Sequence, residues 1–364
     1  MRTLLIFFFL LLSSCSSYNF NNFLKKLSLD RHNYYFQSNC EIYNQDLNLI
    51  RQYGGQYCVF EVDGNYLMIQ SDNNLVYRDK FNKIIWEIEN SGVHHLINTN
   101  IEGNFLTLSS SFLITKDGKE VRTDVFSILD KNTGTVLFKY DIANEYPDFS
   151  KLTMAEHLAH LWLIPQEDNS IHYEKTHANT FYQATNLLLD SPYLSNYDYI
   201  GTIIGPSPRL IILDSKTLKL KKTIATEALQ FHDTQILPDG KIIYFHNMPT
   251  VTREQPDSTE VKKDIKSRSI IEVLSGDNYS KKDSYLMKES TKFFMPYAGS
   301  VQVFENGTIL VNDFNIKESE SSFLFIEKNG DLIKKFSLKK TNPFPARYVK
   351  LLNLSSFLKN NIGL

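Results

Sequence analysis

Three features of the sequence predict an all-β fold, specifically a β-propeller of five or six four-stranded blades, with six favoured. Short runs rich in Ile, Val, Phe, Tyr and Leu alternate with a period of two residues, which is the period of a β-strand. Pairs of residues that favour positive φ separate these runs, as in consecutive antiparallel hairpins. A similar stretch also recurs along the chain, as expected for repeated blades. The turn pairs are Asp63-Gly64, Asp117-Gly118, Thr133-Gly134, Asp239-Gly240, Asn306-Gly307 and Asn329-Gly330.

The N-terminal residues 1–14 are predicted to be a signal peptide that lies outside this fold. Arg2 precedes an apolar stretch, Leu4 to Leu12, that is too short to span a bilayer as a mature helix. The sequence from Leu12 to Cys15 resembles a bacterial lipobox, in which the cysteine is acylated and becomes the new N-terminus. We therefore expect residues 15–40 to be a lipidated linker. The alternative is a cleaved signal followed by an incidental cysteine.

A lipid on Cys15 would place the protein at the bacterial cell envelope, facing the periplasm. Ser16 stands after the cysteine in place of an aspartate, which favours the outer membrane. The lipid would be the only membrane anchor, because no other segment approaches eighteen apolar residues. The net charge of −2, from 39 basic and 41 acidic residues, does not favour nucleic acid as a partner. In an exported protein Cys40 and Cys58 could form a disulfide, or they could be two buried thiols.

The recurring stretch divides residues 41–340 into blades. Five units begin near residues 56, 95, 177, 232 and 299. The long interval after the second start contains residues 144–170, which are predicted to form a short helix or loop. A sixth blade could come from this interval or from pairing of the two chain ends, with segment 341–364 completing the propeller. Residues 250–269 are polar and are predicted to form a surface loop.

Three of the units begin with a histidine, at His95, His177 and His232. Each histidine opens a nine-residue stretch that ends at a turn position and is followed by an apolar strand. The repeat that begins at Gly299 keeps the spacing but has no histidine. Because equal positions of successive blades lie at equal places in a radial fold, we expect the three imidazoles to converge on one axis. The residues three positions later could form a ring of hydrogen bonds between blades; they are Asn98, Thr180, Gln235 and Gln302.

Four phrases of the chain resemble those of the arylsulfotransferase family. They are Thr123-Asp-Val-Phe-Ser-Ile-Leu-Asp-Lys-Asn-Thr-Gly134, His177-Ala-Asn179, Phe231-His-Asp-Thr-Gln-Ile-Leu-Pro-Asp-Gly240 and Gly299-Ser-Val-Gln-Val-Phe-Glu-Asn-Gly307. The resemblance covers residues 55–335 and implies an exported six-bladed propeller that transfers a sulfuryl group between phenols without a nucleotide sulfate donor. It also implies that His232 is the nucleophile and that His95 and His177 are clamps or proton carriers. A neutral imidazole suits such a transfer because it is nucleophilic near neutral pH and leaves again readily.

One position departs from the family's pattern. The family places an arginine after the His-x-Asn motif, in a stretch similar to Ser-Arg-x-x-Ser, whereas this chain has Pro192 at the corresponding place. Proline cannot replace a guanidinium that binds an oxyanion through two hydrogen bonds. Arg209 could supply the missing charge from a shifted register and is the predicted substrate-binding residue.

The sequence therefore leaves two functions open. The first is a lipid-anchored transferase that acts on a phenol or aryl sulfate and uses no cofactor. The second is a non-catalytic propeller that serves as a ligand-binding or scaffold module, with a protein partner, at the cell envelope.

The remaining histidines carry weaker predictions. His94 or His95 is expected to point away from the site, since neighbours on a strand face opposite sides. His157 and His160 could bind zinc from one turn of a helix, but no third ligand is evident nearby, and no metal site is predicted.

Overall fold

A computed structural model confirms the all-β class and the favoured number of six blades. It describes residues 35–44, 46–61, 63–70, 73–165, 171–185, 187, 194–226, 231–237, 239–247, 269–275, 279, 281–284, 293, 299–304, 306–315, 320–339 and 349–352. The predicted signal peptide, Cys15, Pro192 and most of the polar stretch 250–269 lie outside these residues. Within the described part of the chain, no helix has the length and apolarity needed to cross a membrane.

The described residues form 26 strands. The strands of the first half are β1 (Tyr35–Ser38), β2 (Glu41–Tyr43), β3 (Leu49–Gln52), β4 (Gly55–Phe60), β5 (Tyr66–Gln70), β6 (Leu75–Arg78), β7 (Ile84–Ile88), β8 (Asn98–Thr99), β9 (Phe105–Ile114), β10 (Glu120–Leu129), β11 (Val136–Asp141), β12 (Trp162–Pro165) and β13 (Ile171–Glu174). The strands of the second half are β14 (His177–Gln183), β15 (Tyr199–Ile204), β16 (Arg209–Leu213), β17 (Leu220–Ala225), β18 (Phe231–Ile236), β19 (Ile242–Asn247), β20 (Ser269–Ser275), β21 (Lys281–Ser284), β22 (Val301–Val303), β23 (Ile309–Asn315), β24 (Glu320–Ile326), β25 (Leu332–Lys339) and β26 (Val349–Leu352).

Helical structure in the described residues is confined to the segment between β11 and β12. Three 3-10 helices and a one-turn α-helix occur there, at Ile142–Glu145, Phe149–Lys151, Leu158–His160 and, for the α-helix, Met154–His157. The α-helix begins at a capping box, in which the Glu156 side chain accepts a hydrogen bond from the backbone N–H of Thr153 at 2.7 Å. The prediction of a short helix within 144–170 is confirmed.

Four of the six sheets belong to a compact unit formed by residues 54–249 and 271–283. In chain order these sheets are β4-β5-β6-β7, then β12-β13-β10-β9-β8 with β11 paired to β10, then β14-β15-β16-β17, then β18-β19-β20-β21. The predicted starts near 56, 95, 177 and 232 match the first strands of these sheets. The second sheet holds two strands that the sequence did not predict, β12 and β13, and β13 pairs in parallel with β10 at Arg122 and Glu174.

A second compact unit, formed by residues up to 53, 250–270 and those from 284 onward, contains the other two sheets. One sheet, β22-β23-β24-β25, is the blade predicted to start at Gly299. The other has the order β26-β1-β2-β3, and its strands β26 and β1 pair antiparallel from Tyr35↔Leu352 to Ser38↔Val349. The sixth blade thus comes from the two chain ends, which was one of the two predicted sources. It begins before the expected boundary at residue 41.

The sheets are built from buried middle strands and exposed outer strands. Every residue of β15 and β16 is buried, whereas most of β17 and β11 is exposed. The middle strands therefore read as continuous apolar runs, as strands covered on both faces do. In the unit 54–249, one apolar cluster joins Leu106 and Phe126 of the second sheet to Phe181 and Ile211 of the third. Packing between the broad faces of neighbouring sheets is what stabilises this unit.

All six predicted turn glycines adopt positive φ, and Gly134 is the most constrained of them. Its φ is +71°, and an added Cβ would lie 2.8 Å from the indole of Trp86. Gly118 has a similar φ of +74° but no atom within 4 Å of its Cβ position. Comparing substitutions at Gly134 and Gly118 therefore separates the cost of the backbone conformation from the cost of the clash with Trp86.

Gly134→Ala is expected to lower the free energy of unfolding by about 2–4 kcal/mol, against about 1–2 kcal/mol for Gly118→Ala. In both variants alanine is strained by the left-handed backbone conformation. Only Gly134→Ala also displaces Trp86, whose Nε1 donates to the Lys131 carbonyl at 2.8 Å. Urea unfolding of both variants measures the difference. Equal losses would show that the Trp86 contact has no energetic weight.

Candidate functional site

The structure brings two of the three predicted histidines into direct contact. His95 Nε2 lies 3.2 Å from His177 Nε2, and the ring planes are nearly perpendicular at 85°. His177 is the first residue of β14, and His95 lies in a bend ahead of β8. The predicted convergence of repeat positions therefore holds for this pair.

His232, the third predicted histidine, is the second residue of β18 and is 9% exposed. Its Nδ1 lies 2.6 Å from the side-chain oxygen of Asn247 on β19. Because this oxygen is an acceptor, Nδ1 donates, and a neutral ring in that tautomer has its lone pair on Nε2. The structure thus gives His232 the tautomer that a nucleophilic Nε2 requires.

Burial lowers the pKa of His95 well below its ordinary value of 6.5, and the nearby charges of His177, His94 and His232 lower it further. His232 therefore contributes to the electrostatic environment of His95. A neutral His95 at neutral pH can act as a hydrogen-bond donor through one ring nitrogen and as an acceptor through the other.

His94 also belongs to the cluster, which corrects the expectation that one of the two adjacent rings points away. His94 Nδ1 lies 2.6 Å from His95 Nδ1. The strand alternation on which the expectation rested does not apply, because His95 lies in a bend with a φ of +61°. The left-handed residue turns both rings to the same side.

Two buried carboxylates hold the outer histidines of the cluster. Asp124 Oδ1 lies 3.0 Å from His94 Nε2, and Glu174 Oε2 lies 3.0 Å from His177 Nδ1. Asp124 is completely buried and Glu174 is 2% exposed. Burial by itself would raise the pKa of Asp124, but the hydrogen bond from His94 and the electrostatic effects of His94, His177 and Arg122 outweigh it and lower that pKa. Asp124 is therefore ionised at neutral pH.

A cation that the sequence did not identify lies beside these groups. Arg122 Nη1 donates to Glu174 Oε1 at 2.9 Å, and Arg122 stands two residues before Asp124 on one face of β10. Burial and the nearer residues have the largest effects on the pKa values of His94, His95 and Asp124. The charge of Arg122 has a smaller effect and lowers all three. Its side chain is 24% exposed, and its Nε is buried with no hydrogen-bond partner among the described residues.

Arg209, the predicted substrate-binding residue, is engaged elsewhere in the unit. Its Nη2 donates to Glu145 Oε2 at 2.7 Å and to the Tyr146 hydroxyl at 3.0 Å. An arginine already paired with a carboxylate has less charge to offer to a substrate. Arg122 is also paired with a carboxylate, but its partner Glu174 belongs to the histidine cluster, so Arg122 is the arginine that contacts the candidate site.

The polar residues at the third position after each histidine do not act alike. Asn98 Nδ2 donates to the Phe181 carbonyl at 2.8 Å and so connects two blades. Thr180 Oγ1 instead lies 2.8 Å from Thr202 Oγ1 within its own blade. The predicted ring of hydrogen bonds between blades therefore holds at Asn98 and not at Thr180.

His157 has a structural environment. Its Nε2 lies 2.9 Å from the Phe149 carbonyl, and its ring stacks on Phe149 with centroids 3.8 Å apart. No group of three or more His, Cys, Asp or Glu side chains in the described ranges is arranged to hold a metal ion.

Cys40 and Cys58 are both disulfide-bonded.

The low pKa of His95 predicts a specific loss of stability in acid. As the pH falls below about 6.5, the unfolded chain binds a proton at residue 95 that the folded chain does not bind, so the free energy of unfolding decreases. This residue can contribute up to about 1.4 kcal/mol per pH unit until its folded pKa is reached. Asparagine tolerates the positive φ of this position and does not titrate, so His95→Asn should reduce the slope.

Urea unfolding between about pH 5 and pH 7 measures this slope. The matched control is His172→Asn, which removes an exposed histidine and should keep the wild-type slope. A wild-type slope in His95→Asn would mean that residue 95 titrates alike in the folded and unfolded chains.

Comparison with known proteins shows the fold but no family. No family model matches the sequence, and no curated protein matches it. A protein of unknown function from Bacteroides caccae is similar in structure, with a TM-score of 0.52 and 9% identity over 85% of this chain and 94% of that one. The match to the Dos1 propeller covers 83% of this chain and 63% of the Dos1 chain, with 11% identity and a TM-score of 0.43. The match to BamB from Moraxella catarrhalis covers 85% of this chain and 72% of BamB, with 9% identity and a TM-score of 0.36.

Proposed function

We propose that this propeller transfers a sulfuryl group between phenolic compounds, with His232 as the nucleophile. The observation that carries the proposal is the contact between His95 and His177, which meet through Nε2 at 3.2 Å. The charge of His232 is also one of the causes that lower the pKa of His95. These are the three histidines that the resemblance to arylsulfotransferases singles out. The proposal needs no cofactor, because a neutral imidazole can accept the group directly.

The transfer takes place in two displacements at sulfur. In the first, the lone pair of His232 Nε2 forms an N–S bond while the bond from sulfur to the aryl oxygen breaks, and the departing phenolate takes up a proton. In the second, an acceptor phenol loses its proton, its oxygen bonds to sulfur, and the N–S bond returns its electrons to Nε2. His232 ends in its starting state, and one proton has been given and recovered.

Arg122 supports this chemistry as the cation that stabilises the sulfuryl oxygens. Its guanidinium has one nitrogen engaged with Glu174, while its Nε is buried with no hydrogen-bond partner among the described residues. Fixed donors of this kind stabilise charge that develops in a transition state. Arg122→Gln should therefore raise KM for an aryl sulfate and lower kcat, whereas Arg209→Gln should affect mainly stability.

We further propose that the protein acts at the bacterial cell envelope, anchored by a lipid on Cys15 and facing the periplasm. The disulfide bonding of Cys40 and Cys58 supports an oxidising compartment. In a host that processes lipoproteins, Cys15→Ser should move the protein out of the membrane fraction. An unchanged distribution would rule out the lipid anchor.

The proposed activity is tested by incubating the protein with 4-nitrophenyl sulfate and a second phenol as acceptor. We expect release of 4-nitrophenol, a higher rate when the acceptor is added, and sulfation of the acceptor in equal amount. Arg122→Gln and Arg209→Gln are compared in the same assay. If the wild type is inert against a panel of aryl sulfates while a stable protein partner co-purifies with it, the protein is a binding module and the proposal fails.

A further inference from the structure

The cluster contains an unbroken hydrogen-bonded chain of three imidazoles between two carboxylates. In order, the groups are Asp124, His94, His95, His177 and Glu174. The four contacts are Oδ1 to Nε2 at 3.0 Å, Nδ1 to Nδ1 at 2.6 Å, Nε2 to Nε2 at 3.2 Å and Nδ1 to Oε2 at 3.0 Å. Both ring nitrogens of every imidazole are used. The carboxylates lie on β10 and β13, and the histidines lie on β14 and in the bend before β8.

The hydrogen bonds that join these five groups determine how many protons the groups must contain. Each of the four contacts joins two heteroatoms, and each needs one proton between them to be a hydrogen bond. Three neutral imidazoles supply three N–H groups, and ionised carboxylates supply none. The chain is therefore one proton short unless it binds an additional one.

We propose that Asp124, His94, His95, His177 and Glu174 form a proton store that holds one excess proton on its imidazoles at neutral pH and exchanges it with the phenolic oxygen of a bound ligand. The proton count follows from the hydrogen bonds alone, whereas its use during transfer rests on the proposed function. Asp124, His94 and Glu174 act here as positioning residues.

The charges around the chain agree with this count. Two carboxylates are balanced by one imidazolium and by Arg122, whose Nη1 donates to Glu174 at 2.9 Å. Without the excess proton, the buried groups would retain an uncompensated negative charge, which is costly in a poorly solvated site. Among the described residues, the titratable or charged groups near these five also include His232 on β18, Tyr57 on β4 and Lys175 next to Glu174.

The central ring, His95, allows the excess proton to be carried either by His94 or by His177. When His95 donates through Nδ1, it accepts from His177, which then carries both ring protons. When His95 donates through Nε2, His94 carries both protons instead. A change of the His95 tautomer moves the charge from one carboxylate to the other without any movement of the backbone.

In the proposed transfer, the stored proton balances both half-reactions. The chain gives its proton to the oxygen of the departing phenolate as the S–O bond breaks, and it then contains three protons. It regains the fourth from the acceptor phenol as that oxygen bonds to sulfur. The full cycle takes no net proton from the solvent.

The store is tested by 15N NMR of the full chain labelled at histidine, with ring nitrogen shifts measured near pH 7. We expect His94, His95 and His177 together to show the signals of one imidazolium and two neutral rings. Glu174→Gln should remove the imidazolium, because a glutamine N–H can donate to His177 Nδ1 and supply the fourth proton itself. Glu120→Gln, at an exposed position of β10, is the matched control and should keep the imidazolium.

Three neutral rings in the wild type would overturn the inference, and so would an imidazolium that persists in Glu174→Gln. The wild-type measurement decides whether an imidazole holds the excess proton, even if the variant does not fold. An inert wild type that still contains one imidazolium would reject the proposed transfer and leave the proton store intact. The two failures are therefore distinguishable.

Discussion

Asp124→Ala is expected to lower the free energy of unfolding by about 3–5 kcal/mol, the loss typical of removing one partner from a buried ionic network. The Asp124 carboxylate is completely buried and accepts from His94 through Oδ1. Its Oδ2 also accepts from Thr176 Oγ1 at 3.0 Å and from the Ala178 backbone N–H at 2.9 Å. Alanine would leave the buried Ala178 N–H without its acceptor and would remove an acceptor from His94 and from Thr176. The strand that carries His177 would also lose the hydrogen bond that joins the Ala178 N–H to β10.

Urea unfolding measures this loss, and two variants calibrate it. Asp124→Asn keeps one acceptor oxygen and should be destabilised less than Asp124→Ala. Asp148→Ala removes an exposed carboxylate paired with the equally exposed Lys151 and should change stability by less than about 1 kcal/mol. If Asp124→Ala resembled Asp148→Ala, the buried network would not be holding the second and third sheets together.

His232→Ala is expected to reduce release of 4-nitrophenol from its sulfate by about 10³-fold or more, because the nucleophile of the first displacement is lost. The loss should appear in kcat, since the remaining histidines and Arg122 can still contribute to binding. The reaction is followed by steady-state absorbance at saturating aryl sulfate.

The exposed His172 provides the matched control, and His172→Ala should keep wild-type activity. Because His232 also bonds to Asn247, the folding of His232→Ala is checked by circular dichroism and urea unfolding. A folded His232→Ala protein with activity similar to that of the wild type would remove His232 from the mechanism.

The architecture was predictable because its signals are local. Turn pairs such as Asn306-Gly307 identify hairpins through the positive φ that glycine adopts readily, and Gly307 has a φ of +79°. The spacing of His95 and His177 placed equal positions in successive blades, and the rings do meet. The pairing of β26 with β1 joins residues more than 300 positions apart, so the sequence left it as one of two possibilities.

The rest of the site was not predictable because it depends on departures from regular strands. The left-handed bend at His95 places His94 in the cluster, and strand alternation predicts the opposite. Glu174 reaches His177 from a strand inside an insertion, for which the repeat gives no register. Arg122 and Asp124 could have been noticed as oppositely charged residues on one face of β10. That pattern is common in proteins and does not by itself identify a partner.

The central claim is that His232 receives the sulfuryl group at a site shared with His95 and His177. A single-turnover reaction with 4-nitrophenyl sulfate and no acceptor, quenched at alkaline pH and analysed by peptide mass spectrometry, tests it most directly. The account predicts a burst of 4-nitrophenol equal in amount to the protein and a sulfuryl adduct on the peptide that contains His232, which disappears when a phenol is added. A burst without an adduct, or an adduct on another residue, would contradict it.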